Sequence, residues 1–246
     1  MADGLLLLHA FPLDATMWVP QVRPLAGVIP VVSAQFPGLG KNPMPVGEVT
    51  TMDAAAEAAF EAAERAGLGR MVVCGLSMGG YVAFSLWRAH GNRVAGLILA
   101  NTRAGADDEA GKARRKALAD RLRAEGNGFL VENPPPLLSA QAPGDLWAEV
   151  KASIGAQPAE ALAAASLGMA ERADSTGDLA GIDVPTLVIT SAGDTLIPPE
   201  ATAPMADQIP GARLAVIDVA GHLSSLEAPS RFNQLLQDHL RACGIE

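Results

Sequence analysis

An α/β fold, with a mostly parallel sheet of about six strands covered by helices on both faces, follows from three observations. Short apolar runs alternate with helix-patterned stretches along most of the chain. Within each run apolar residues stand side by side rather than at every second position, which marks strands buried on both sides. The chain has 246 residues, 49% hydrophobic and 18% charged, enough for one large domain and its core.

The first strand is read at residues 5–8, four consecutive leucines. A second is read at residues 28–33, where Pro30 lacks a ladder donor and predicts a sheet edge or a bulge. The loop at residues 36–40 turns the chain, and Pro43, Pro45 and Gly47 keep it irregular. Thr51 or Asp53 is placed to cap an Ala- and Glu-rich helix that runs through Phe60 to Arg65 and stops at Gly67. A strand at residues 71–74 leads into a helix ending near His90, and residues 94–100 form another buried strand. Strand signals then vanish, and charged helical stretches broken by Pro134-Pro135-Pro136 and Pro158 follow. Residues 103–181 are therefore read as a helical cap insertion, with residues 1–102 and 182–246 as the core. Alternation resumes with a strand at 184–190, a Pro-started helix at 199–208, a strand at 213–219 and an amphipathic helix at 230–242.

Net charge is −9, which argues against a nucleic-acid partner, because phosphate binding needs clustered excess Lys and Arg. The two cysteines, Cys74 in a strand and Cys243 near the end, are not expected to pair, and a cytoplasmic setting fits them. The four leucines lack a basic leader and are too few for a signal core or a membrane span. The scattered His and Cys have no ligand spacing, and neither a P-loop nor a dinucleotide fingerprint occurs, so no metal and no cofactor is expected.

Chemistry concentrates at Gly75-Leu76-Ser77-Met78-Gly79, which fits the G-x-S-x-G nucleophile-elbow pattern between a strand and a helix. The turn is sharp enough that a Cβ at either glycine would collide, and it projects Ser77 Oγ from the carboxyl end of the sheet. Partners are sought beyond neighbouring strand ends. Asp194 follows the strand ending at Thr190, and His222 follows the one ending at Val219. Serine, aspartate and histidine occur in the chain order this arrangement uses. His222 would take the Ser77 proton, and Asp194 would fix its tautomer and stabilise the imidazolium. A turn-forming Asp194 or a backbone-bonded loop His222 would explain either residue alone, but not three at successive strand ends. His9 follows the first strand, and shaping the turn suits it better than acting as a second base. His90 closes a helix, and His239 is read as solvated within the last one.

These residues resemble the α/β-hydrolase family along nearly the whole chain. The likeness rests on residues 9–14 (His-Ala-Phe-Pro-Leu-Asp), 36–40, 75–80, Gly193-Asp194 and Gly221-His222. Within the family the chain looks most like small capped esterases and lactonases of the 3-oxoadipate enol-lactonase type. The resemblance implies an oxyanion hole made by the backbone N–H groups of Phe11 and Met78. It also implies a serine hydrolase acting on a small carboxylic ester or lactone through an acyl-enzyme. A carbon–carbon bond hydrolase of the meta-cleavage type, a cofactor-free perhydrolase and a slow-turnover ligand receptor share the scaffold. The Ser77 nucleophile argues against relatives that attack with Asp.

Three departures stand out. Ala10 replaces the usual Gly after His9, no Asp lies near Gln35, and the usual amino-terminal antiparallel hairpin has no counterpart. The last leaves either a truncated reading frame or an exposed edge that suits a monomer or a homodimer. For substrate binding, Arg103 is placed to hold a carboxylate, unless it pairs with Asp107 or Asp108. His9 and Trp18 are further candidate contacts, and Trp147 is a candidate for an apolar acyl pocket. The basic run from Lys112 to Arg123 is read as a solvated helix face.

Overall fold

Contiguous apolar sequence becomes the middle of the sheet. In the computed structural model, which describes residues 1–42 and 47–245, the strands are β1 (Ala2–Leu8), β2 (Val31–Ala34), β3 (Leu68–Leu76), β4 (Val94–Ala100), β5 (Thr186–Ser191) and β6 (Arg213–Ile217). They form one six-stranded sheet in the order β2-β1-β3-β4-β5-β6, and all five pairings are parallel. Leu5, Leu6, Leu7 and Leu8 are each 0% exposed. Successive strand side chains point to opposite faces, so four such residues in a row require cover on both sides.

Pro30 lies just before β2, where its carbonyl accepts from Leu5 N at 2.9 Å. The missing donor therefore costs nothing, and β2 is an edge strand as Pro30 predicts. At the other edge, β6 is shorter than expected and leaves Leu214 and Val216 exposed. The irregularity expected at Pro43 and Pro45 lies outside the described residues.

The helices are α1 (Val19–Leu25), α2 (Met52–Arg65), α3 (Met78–His90), α4 (Glu109–Glu125), α5 (Gly128–Glu132), α6 (Gly144–Gly155), α7 (Ala159–Ala170), α8 (Pro199–Thr202), α9 (Pro204–Gln208), α10 (Ser224–Glu227) and α11 (Pro229–Ala242). Thr51 rather than Asp53 caps α2, its side chain accepting from Ala54 N at 3.1 Å. Helix α2 packs on α3, and both lie against β1 and β3. The single helix expected at 199–208 is split at Ala203, because Pro204 has no N–H to continue it and starts a new one instead. His239 is also a correction: it is 1% exposed on the inner face of α11. Burial and the nearby Arg213 charge lower its imidazole to about 4.

Helices α4 to α7 fill the stretch between β4 and β5. Two backbone hydrogen bonds join this stretch to core loops, Thr50 N to Ala164 O at 3.0 Å and Leu223 N to Leu137 O at 2.8 Å. Because the strands are parallel, the loops after β1, β3, β4, β5 and β6 emerge at one edge, and all the candidate site residues except Trp18 lie in or beside them.

Candidate active site

The elbow is built by close backbone approach. A Cβ on Gly75 would collide with Gly79 O, and one on Gly79 would collide with Leu8 O, so neither position admits a side chain. Ser77 takes φ 57° and ψ −115°, a conformation that costs a non-glycine residue about 1–3 kcal/mol. Its own groups anchor it there: Ser77 N donates to Ala100 O at 3.0 Å, and Thr102 Oγ1 donates to Ser77 O at 2.8 Å.

Asp194 sits in the turn after β5 with both oxygens occupied. Oδ1 accepts from Leu196 N and Ile197 N at 2.9 Å each, and Oδ2 accepts from His222 Nδ1 at 2.8 Å and Asn101 Nδ2 at 2.9 Å. Burial alone would raise its carboxyl, but the His222 hydrogen bond and charge, helped by these N–H donors, hold it below the usual carboxylate range. An ionised carboxylate can only accept, so His222 carries its proton on Nδ1. Its Nε2 is then a lone-pair acceptor, wholly buried and without a hydrogen-bond partner among the described residues.

Asp194 and His222 are thus brought into direct contact, while Ser77 Oγ makes no hydrogen bond to the imidazole. A continuous path still joins the three: Ser77 bonds Ala100, and the next residue, Asn101, bonds Asp194. Asn101 escaped the sequence reading. It is 0% exposed at φ 45°, donates also to Ser191 Oγ at 3.0 Å, and accepts from Ser224 Oγ at 2.6 Å. Its place at the end of a central strand was the available signal, since Asn tolerates positive φ better than most residues. Glu227 escaped as well. It accepts from the N–H groups of Gly221 and Ser139 at 2.9 Å each, tying the His222 loop to the stretch before α6.

Phe11 and Met78 occupy the expected positions for backbone donors. Phe11 N makes no hydrogen bond among the described residues, and Met78 opens α3, where the first N–H groups have no intrahelical acceptor. Ala10 is absent from the positive-φ residues, so the turn accepts a methyl group where Gly is usual. Gln35, at the place of the usual Asp, accepts from Ala15 N at 3.0 Å.

Phe11, Ser77, Tyr81, Arg103, Leu137 and Ile197 border a cavity of about 350 Å³. A second cavity of about 600 Å³ shares Pro135 with it and holds Trp147, so Trp147 lies beside the Ser77 cavity rather than in it. Two expected substrate contacts are corrected. His9 is fully buried against Phe36, with ring centroids 4.1 Å apart, and burial lowers its imidazole to about 4. Trp18 is fully buried 5.9 Å from the Phe232 ring. Both are packing residues outside the cavity lining. Arg103 does line the cavity, and it also makes the competing contact, an ion pair with Asp107. The basic run on α4 is likewise not all solvated: Arg115 turns inward to pair with Asp107, while Arg114 stays exposed at the rim of the same cavity.

The model of the alpha/beta hydrolase family matches residues 5–235, and the chain belongs to that family. Its relatives include esterases, lactonases and putative carbamate hydrolases, among them one from Stutzerimonas stutzeri that is 26% identical over 94% of this chain and 89% of its own length. A thermophilic esterase from Thermogutta terrifontis, solved with malate bound, is 39% identical at a TM-score of 0.92, over 99% of this chain and 90% of that one. The enol-lactonase from Burkholderia xenovorans LB400 is 26% identical at a TM-score of 0.87, over 98% and 92%. The 3-oxoadipate enol-lactonase 1 of Acinetobacter baylyi is 27% identical over 98% of this chain and 90% of its own length.

Proposed function

We propose that this hydrolase cleaves a small carboxylic ester or lactone through an acyl-enzyme on Ser77. The observation that carries the reading is the buried imidazole of His222, fixed through Nδ1 by Asp194 and left with an unpartnered Nε2. That nitrogen takes the Ser77 proton as Oγ attacks the carbonyl carbon. The oxyanion that forms is received by the N–H groups of Phe11 and Met78. As the carbon–oxygen bond breaks, His222 returns the proton to the leaving oxygen. Water then attacks the acyl-enzyme by the same route, releasing the acid and restoring the serine hydroxyl.

The ester and lactone relatives support this substrate class, as does a cavity that places Ser77 beside apolar side chains such as Phe11, Leu137, Met169 and Ile197. Residues 103–181 would act as the cap that shapes it. Two free cysteines suit a reducing compartment such as the cytoplasm. A fluorophosphonate probe tests the assignment, together with a panel of short esters and lactones. Labelling of Ser77 with loss of all turnover is expected; turnover that survives a fully labelled Ser77 would overturn the proposal.

A further inference from the structure

The turn that carries the Phe11 N–H is tied back on itself. Leu13 N donates to Ala10 O at 3.0 Å, Ala10 N donates to Met17 Sδ at 3.2 Å, and Asp14 Oδ1 accepts from Thr16 N at 2.8 Å. The other Asp14 oxygen, Oδ2, is taken from 143 residues along the chain, where Gln157 Nε2 donates to it at 3.0 Å. Burial would raise the Asp14 carboxyl, but hydrogen bonds from Thr16 and Gln157 hold it below the usual carboxylate range. The acceptor is therefore an anion, and the bond from Gln157 is charge-assisted.

Gln157 lies in the turn between α6 and α7, 3% exposed, with both ends of its amide in use. Nε2 donates also to Ser153 O at 2.9 Å, and Oε1 accepts from Gly40 N at 2.8 Å, in the loop after β2. Its main-chain carbonyl accepts from Asn127 Nδ2 at 2.8 Å, which pins the turn to the start of α5. One buried amide thus joins the α6–α7 turn to the loops after β1 and β2. Those two loops are joined to each other by Ala15 N and Gln35 Oε1 at 3.0 Å.

Stability alone gives little reason for such a group, since each hydrogen bond it makes replaces one to water. A fully paired polar node adds uniqueness instead: any slip between the turn and the two loops leaves a buried donor or acceptor without a partner. Uniqueness matters most where a catalytic donor must be held to within about half an ångström. Phe11 N is such a donor, three residues from Asp14 and with no hydrogen bond of its own among the described residues.

We infer that Gln157 is a positioning residue for the oxyanion hole: by holding Asp14 from the α6–α7 turn, it sets the direction of the Phe11 N–H. The rate of acyl transfer then depends on how that turn is seated. The inference rests on the serine-hydrolase reading and adds to it a residue that touches no reacting atom.

Gln157→Met keeps the length of the side chain and removes its hydrogen bonds. With phenyl hexanoate, kcat should fall about ten- to a hundredfold, as for a donor misplaced by up to an ångström. KM should stay within about threefold, because Gln157 lies outside the lining of the Ser77 cavity. Pentyl trifluoromethyl ketone supplies a readout that a merely structural tie would not move. Ser77 Oγ adds to its carbonyl carbon, the serine proton passes to His222, and the carbonyl oxygen becomes an oxyanion. Its inhibition constant should rise by the factor that kcat falls.

Asp14→Asn must set its amide nitrogen against Gln157 Nε2 or Thr16 N, and either disturbs the same turn, so it should give the same split. Arg123→Ala cuts an exposed tie to Glu48 O at 2.9 Å and should leave both constants within about twofold. Thermal melts place the assays below the transition of each variant. Unchanged kcat and ketone affinity in the folded variants, a rise in KM alone, or an equal fall in Arg123→Ala would overturn the inference. A wild type that neither turns over the ester nor forms the Ser77 adduct would sink the hydrolase reading instead.

Discussion

Replacing Asp194 by Asn changes one atom and leaves the shape intact, yet the site has no place for an amide. Four donors converge on the carboxylate: Leu196 N and Ile197 N on Oδ1, His222 Nδ1 and Asn101 Nδ2 on Oδ2. An amide nitrogen at Oδ1 would face two fixed backbone N–H groups, forfeiting two hydrogen bonds to a charged acceptor at about 1.5–3 kcal/mol each. At Oδ2 it forfeits the Asn101 hydrogen bond but faces an imidazole that can answer by moving its proton from Nδ1 to Nε2, so this orientation loses one bond rather than two and wins. The nitrogen that must accept the serine proton then already carries one. A wrong tautomer of this kind costs about 10³ to 10⁴ in kcat, roughly 4–5 kcal/mol of barrier. The assay is steady-state hydrolysis of a nitrophenyl ester at neutral pH, with a thermal melt confirming that the variant is folded. A folded Asp194→Asn protein with kcat within tenfold of the wild type would refute the reasoning.

Other outcomes follow from the same geometry. Ser77→Ala and His222→Ala should each abolish measurable ester hydrolysis, and the double variant should lose little more, since the residues act as a unit; multiplicative losses in kcat would contradict this. His9 and His239 are held at about 4 when folded, so between pH 6.5 and 4 the unfolded chain binds protons that the folded one does not. Stability should be full above about pH 6.5 and drain as pH falls, by up to ~3 kcal/mol per histidine; a urea-midpoint profile that stays flat in His239→Leu and in the wild type alike would exclude it. Glu227→Ala removes the carboxylate that takes two backbone N–H groups and the Ser139 hydroxyl. The cost should be about 1–3 kcal/mol, visible as a lowered melting temperature, and an unchanged melt would argue that this tie carries no weight.

The sheet was readable because its strands are written locally: the four leucines of β1 and the wholly apolar β4 need no partner to be recognised. The elbow was readable for a similar reason, since Gly75 and Gly79 answer a steric demand made within a few residues of Ser77. What escaped depends on register within a helix or on distant chain. Burial of His239 is legible only when its register is counted with Phe232, Leu236 and Leu240, which share the inner face of α11. Asn101 and Glu227 act through hydrogen bonds to residues far along the chain, Asp194 and Gly221 among them, and no spacing rule announces such contacts. The basic helix misled because its charges divide between faces: Arg121 pairs outward with Glu125, while Arg115 turns inward to Asp107. His9 and Trp18 stand close to the candidate site in sequence or expectation, but packing claimed both.

The central claim is that Ser77 carries the acyl group through the reaction. Rapid-quench mixing with a nitrophenyl ester, followed by peptide mapping, reads this directly. The account requires a burst of one nitrophenol per active chain and an acyl adduct on the peptide holding Ser77, neither of which forms in His222→Ala. Steady turnover without a burst and without an adduct at Ser77 would contradict it.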